Sequence, residues 1–295
     1  MVWTVDQFDA HLTQMAWESF VNHYVAAGMM LGVLAIALSY TVVHRVLNAK
    51  SKIYRDDLTN DQQLVVVHHS IEAIFLSLFF VPLTYVILSL NFEKQSLEEL
   101  ANKVAALGVM MFVIIIMYMM ELASRFQNQR SLVVAHHLCA YLDAIFPAFA
   151  LSTANIKASS LLVYFITYEA ITFVGLVMYR LCPENRATRP IIAAGMIVFG
   201  LSRPLQIVWI LSSLAVSWEH LVVWHAVLQI IFSVVFTALQ LFTLSIHYSL
   251  YKKCGDIRLQ AESSIKNDSE CRDGSRTEED QKYVMDVEEV VVAEA

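Results

Sequence analysis

Residues 64–90 read LVVVHHSIEAIFLSLFFVPLTYVILSL, and this stretch decides the fold class. It carries a single carboxylate, Glu72, and neither Lys nor Arg. A helix rising 1.5 Å per residue crosses the ~30 Å hydrocarbon layer in about 20 residues. Backbone amides in lipid find no water, so a crossing segment of this kind is helical.

Six further windows of the same character flank it: 22–44, 103–122, 132–152, 159–181, 190–214 and 222–250. Of the 295 residues, 57% are hydrophobic and 16% charged, well below the roughly 25% charged of a soluble domain. The expected fold class is therefore an all-α integral membrane protein with seven transmembrane helices.

Basic residues set the expected direction. The first Lys or Arg in the chain is Arg45. Arg45, Lys50, Lys52 and Arg55 follow the first window, Arg125 and Arg130 the third, and Arg180, Arg186 and Arg189 the fifth. Lys252 and Lys253 follow the seventh, and the other side holds only Lys94, Lys103 and Lys157. This asymmetry predicts an N-terminus outside the cytosol and a C-terminus within it.

Residues 1–21, with Trp3, Phe8 and Trp17 and no basic residue, read as an external interfacial segment and not as a cleaved signal. From Lys252 onward, 7 Lys/Arg face 12 Asp/Glu, so most of the net charge of −7 sits in a tail expected to be disordered. Its composition suits cytosolic partners. No basic face interleaved with aromatics exists, which argues against a nucleic-acid partner. The cysteines at 139, 182, 254 and 271 share no short spacing, so neither a disulfide framework nor a metal site is expected.

The informative residues are those that hydrocarbon disfavours, since an ionisable group at mid-membrane costs at least ~2.5–3.5 kcal/mol. The second window opens with His68 and His69, and Glu72 shares the His68 face at i, i+4. Glu121 closes the third. The fourth opens with His136 and His137, with Asp143 on the His136 face. Glu169 and Arg203, deep in the fifth and sixth windows, have opposite sign, and pairing would lower the cost of burying either. His225 and Gln229 lie at i, i+4 in the seventh. Together they predict a polar chamber within a ring of helices, open toward the cytosol.

Three segments in this order resemble the TLC domain family of membrane proteins: YMMELASRFQNQRSLVVAHHLCAYLD at 118–143, YEAITF at 168–173 and FGLSRP at 199–204. The resemblance covers roughly 60–250. It implies that the helices of windows two to seven form a TLC-type ring. It divides the chain into an external segment 1–21, a first helix and loop 22–58, a six-helix domain 59–251 and the tail 252–295. It also implies a role with long-chain lipids in the endoplasmic reticulum. In the ceramide synthase branch the tandem histidine acts on an acyl-CoA thioester and transfers the acyl chain to a sphingoid base.

Carried onto this chain, that chemistry places His136 and His137 as nucleophile or base, with Asp143 and Glu169 orienting them. Arg203 then holds a phosphate or oxyanion, and His68, His69, Glu72, Glu121 and His225 line the binding chamber. No tightly bound cofactor is implied, acyl-CoA would be a substrate, and a homodimer stays open. The fifth window has Glu169 but no His-Asp and no Lys, so the chain is more similar to the small TLC-domain proteins than to ceramide synthases. Lipid binding or lipid homeostasis is the expectation, with the acyltransferase as the alternative.

Two other classes fit poorly. A retinal Schiff base needs a lysine in the seventh window, and there is none. Di-iron hydroxylases need many closely spaced histidine boxes, and this chain has two tandem pairs and scattered singles.

Overall fold

The computed structural model describes residues 23–90, 95–125, 164–216 and 223–270, together with single residues between 7 and 18 and between 131 and 139. Every regular element among them is helical. We number them α1 (His23–Lys50), α2 (Asn60–Ser89), α3 (Leu97–Arg125), α4 (Glu169–Leu181), α5 (Thr188–Val216) and α6 (Val223–Glu270), with a π-helical turn at Ile53–Asp57 between α1 and α2. The described residues of 7–18 and 131–139 are also helical.

Four stretches are long and apolar enough to cross a membrane: Val25–Lys50, Asn60–Ser89, Leu97–Ser124 and Thr188–Trp209. The surface distribution agrees, because it is inverted relative to a water-soluble bundle. On α2, Ile74, Leu78, Val81, Tyr85 and Leu88 form an exposed stripe at helical spacing, with Leu88 81% accessible. The opposite face buries His68 and Glu72. On α5, Ile197, Leu201, Leu205 and Val208 face outward while Ser202, Arg203 and Gln206 are buried. An apolar coat this continuous, with the polar residues of the same helices turned inward, suits hydrocarbon as solvent. The described residues are those of a helical membrane protein.

Local chemistry sets the helix ends. Thr59 opens α2 with a capping box: its side chain accepts from the Gln62 backbone N–H, and the Gln62 side-chain Oε1 accepts from the Thr59 N–H at 2.8 Å. At the other end, Lys103 Nζ of α3 donates to Ser89 O at 2.6 Å, placing a cation on the carbonyl end of α2. The α1–α2 connection is fastened by Tyr54, fully buried, whose hydroxyl lies 2.7 Å from His44 Nδ1 and whose carbonyl accepts from Gln63 Nε2 at 2.8 Å.

Helix α2 is the hub. It packs on α1, α3 and α4; α1 also packs on α3, and α4, α5 and α6 follow one another in contact. Two glycines permit close approach. A Cβ on Gly32 of α1 would stand 2.6 Å from Val113 Cγ2 of α3, and one on Gly195 of α5 would stand 3.2 Å from Thr172 Cα of α4. The main apolar core gathers Ile36, Val66, Ile71, Leu76, Leu83 and Val113 among others. A smaller one joins Tyr179, Ile192, Leu250 and Cys254.

Two expectations need correction. Helix α1 continues to Lys50, so Arg45 is helical and not part of a loop. Helix α6 continues to Glu270, so 252–270 is helical where disorder was expected. Its Leu, Gln, Ala, Glu and Lys content favours helix, and an established helix extends at the cost of one residue at a time. Residues 271–295 and most of the window 132–152 lie outside the described residues.

Candidate functional site

Three acid–base pairs gather around Tyr118 of α3. The first joins Glu169 Oε1 of α4 to Arg203 Nη2 of α5, both residues buried. Tyr118 donates its O–H to the other Glu169 oxygen at 3.0 Å. Arg203 extends the chain by donating Nη1–H to Gln206 Oε1 at 2.9 Å, and its guanidinium lies over the Phe199 ring at 4.6 Å. The second pair is His137 Nε2 with Glu121 Oε2 at 3.3 Å, the imidazole tilted against Tyr118 at 5.5 Å between centroids. The third is His69 Nδ1 with Glu72 Oε2 at 3.0 Å, both on α2. The His69 ring stacks on Phe173 of α4 at 5.2 Å. Glu72, Glu121 and Arg203 all lie within electrostatic reach of the Tyr118 hydroxyl.

The spacing of each helix explains the gathering. Tyr118 and Glu121 stand at i, i+3 on α3, so one face presents both. Glu169 lies about 18 Å of helix from the α4 end at Leu181, and Arg203 about 22 Å into α5 from Thr188. Because α4 and α5 are antiparallel neighbours, those depths bring the two groups level. The pair itself was readable in the sequence as two deep residues of opposite sign; the tyrosine that links it to the histidine pairs was not.

His68 and Glu72 share the buried face of α2, as their i, i+4 spacing predicts, but their side chains take different partners. Glu72 meets the ring of His69, while His68 Nε2 turns toward Tyr40 OH of α1 at 2.9 Å and Ser124 Oγ of α3 at 2.8 Å. Ser124 Oγ donates in turn to Glu121 O at 2.9 Å, linking His68 to the α3 backbone. His68 thus ties α1, α2 and α3 together, and its buried position suits that structural part.

His136 and Asp143 lie outside the described residues. His225 belongs to α6, but its side chain is likewise outside them. On α6, Gln240 and His247 are buried polar residues that the sequence reading passed over. His247 donates Nδ1–H to Thr243 O at 2.8 Å and stacks on Phe199 of α5. Tyr118, Gln206, Tyr40 and Ser124 were also passed over. An i, i+3 tyrosine–glutamate spacing was the available signal for Tyr118.

Chemically, the arrangement offers an imidazole oriented by a carboxylate and a buried anion–cation pair with a phenol attached. A hydrogen on His137 Nε2 directed at Glu121 leaves Nδ1 as the basic nitrogen. The Arg203 Nη groups are engaged by Glu169 and Gln206, so an incoming anion would meet a guanidinium already balanced by a carboxylate. Among the described residues no group of three or more His, Cys, Asp or Glu is arranged to hold a metal ion.

Comparison of the chain with protein-family models, with curated proteins and with solved structures gives no match.

Proposed function

We propose that this chain is a TLC-type membrane protein of seven spans that binds long-chain lipids and serves lipid homeostasis in the endoplasmic reticulum. In this reading the N-terminus is lumenal, the C-terminus is cytosolic, and the second to seventh spans ring the polar layer around Tyr118. The observation that carries it is the convergence of Glu72, Glu121, Glu169, His69, His137 and Arg203 from α2 to α5 and the stretch before α4. Groups of this kind cost several kcal/mol in hydrocarbon and are kept where they meet a polar ligand or a polar path. A lipid head group entering from the cytosolic half would find hydrogen-bond partners there, while its chains follow the apolar helix faces. The Lys and Arg asymmetry supports the orientation.

The test is mass spectrometry of lipids that remain with the protein after purification in mild detergent. The wild type should retain a defined long-chain lipid, and Tyr118→Phe and Glu121→Gln should lose most of it while staying folded. Equal retention of bulk membrane lipids by all three proteins would overturn the reading.

A second reading is favoured by one specific contact, the 3.3 Å approach of His137 to Glu121. An imidazole oriented this way fits an acyl-CoA-dependent acyltransferase, with His136 and Asp143 as further members of the site. His137 would take the proton of an amine or hydroxyl as that group attacks the thioester carbonyl. The C–S bond breaks, and the leaving thiolate receives the proton. Labelled acyl-CoA with sphingoid or lysophospholipid acceptors tests it. Turnover abolished by His137→Ala supports catalysis, and absence of turnover by a lipid-loaded wild type excludes it for those acceptors.

A further inference from the structure

The bundle end where α5 begins carries a second charged cluster, unconnected to the layer around Tyr118. Sequence alone placed Arg186 and Arg189 after the fifth window and Lys252 after the seventh. Packing of α5 on α6 unites them. The Arg189 guanidinium lies over the Tyr251 ring at 4.5 Å. A Cβ on Gly255 would stand 3.3 Å from Arg189 Cζ, so the absence of a side chain at 255 lets the guanidinium lie against the helix. One turn along, Lys252 Nζ lies over the Tyr248 ring at 4.7 Å.

These cations differ from those of the buried layer in one respect. Arg203 has a carboxylate, whereas Arg189, Lys252 and Arg186 meet no carboxylate among the described residues, although Glu184 and Asp256 are close in sequence. Arg189 Nε is buried with no hydrogen-bond acceptor. A guanidinium held by an aromatic face and a glycine, with no carboxylate among the described residues to balance its charge, is poised for an external anion at its Nη groups. Its height identifies the anion. Arg189 is the second residue of α5, at the start of the Thr188–Trp209 span, and Tyr251, which its guanidinium covers, lies on α6 just past the apolar window 222–250, one turn beyond Tyr248. Tyrosines and cations at this depth mark the headgroup layer. The N-terminal dipole of α5 adds potential of the same sign.

We infer that Arg189 and Lys252, with Arg186 at the rim, form a binding site for the phosphate of an anionic phospholipid headgroup in the leaflet at this end of the bundle. The Arg189 donors take the phosphate oxygens, Lys252 supplies a second charge, and the tyrosine rings border the glycerol. The site is independent of the lipid-handling reading and would serve to fix the α5–α6 pair in the bilayer.

The experiment compares thermal unfolding midpoints in nanodiscs of phosphatidylcholine alone with nanodiscs enriched in phosphatidylglycerol. The wild type should unfold several degrees higher with phosphatidylglycerol, and Arg189→Gln/Lys252→Gln should lose at least half of that rise. Each protein serves as its own reference, so a general loss of stability does not imitate the result. If the double variant does not fold, Lys252→Gln/Arg186→Gln changes only exposed side chains, and native mass spectrometry should show fewer bound phosphatidylglycerol molecules. A wild type indifferent to phosphatidylglycerol, or variants that keep the full rise or the full lipid count, would overturn the site. So would an equal rise from inorganic phosphate alone, because the ligand would then not be a lipid.

Discussion

Glu169 of α4 and Arg203 of α5 form a buried ion pair whose carboxylate also accepts the Tyr118 hydroxyl of α3. One carboxylate therefore joins three helices. Removing one partner leaves a charge in a medium that cannot solvate it, which costs about 3–5 kcal/mol. Arg203→Met alone and Glu169→Gln alone are both expected to lower stability on that scale, measured by SDS-induced unfolding in mixed micelles. The double variant should recover much of the loss, since it buries no net charge. Additive losses in the double variant would mean that the two residues do not act as a pair.

The α1–α3 contact rests on the missing side chain of Gly32. A Cβ there would fall 2.6 Å from Val113 Cγ2, and valine has little rotamer freedom on a helix. Gly32→Val should destabilise by about 1–3 kcal/mol through overpacking. Adding Val113→Ala should return part of it, because the same space is then vacated on the partner. The same unfolding assay reads both.

The exposed stripe of α2 tests the solvent assignment directly. Leu78 is 64% accessible and lies near the middle of the Asn60–Ser89 span. On a water-facing surface Leu78→Lys would be harmless. Facing hydrocarbon it should cost about 2.5–3.5 kcal/mol and reduce membrane insertion in a translocation assay. Leu78→Phe should insert like the wild type.

Cys254 offers a test outside the spans. Its thiol is 2% exposed, and burial pushes its pKa up to about 11, an effect that the nearby Arg189 charge only partly offsets. A raised thiol pKa keeps the neutral form at physiological pH, and the neutral form is a poor nucleophile. In a variant retaining Cys254 as its single cysteine, maleimide labelling should stay slow from about pH 6 to about pH 9 and become rapid on denaturation. Rapid labelling of the folded protein near neutral pH would show the thiol to be accessible.

Helical character was plain in windows such as 64–90, because hydrocarbon admits few backbone solutions and a run of apolar residues states its solvent directly. The ends were less legible. Helix α6 passes well beyond the apolar window to Glu270, since helix propensity continues where hydropathy stops. The identity of the deep polar residues Glu72, Glu121, Glu169 and Arg203 was equally open to reading, because each violates the composition of its segment.

What the sequence by itself determined is therefore the solvent, the helices and which residues are out of place in that solvent. Only the tertiary structure decided how they combine. It set His69 beside Glu72, turned His68 to Tyr40 and Ser124, and placed Tyr118 on Glu169. The physical reason is that hydropathy and periodicity are properties of one segment. A hydrogen bond between segments depends on the rotation and depth of both helices, and these are set by contacts such as Gly32 on Val113 and Gly195 on Thr172.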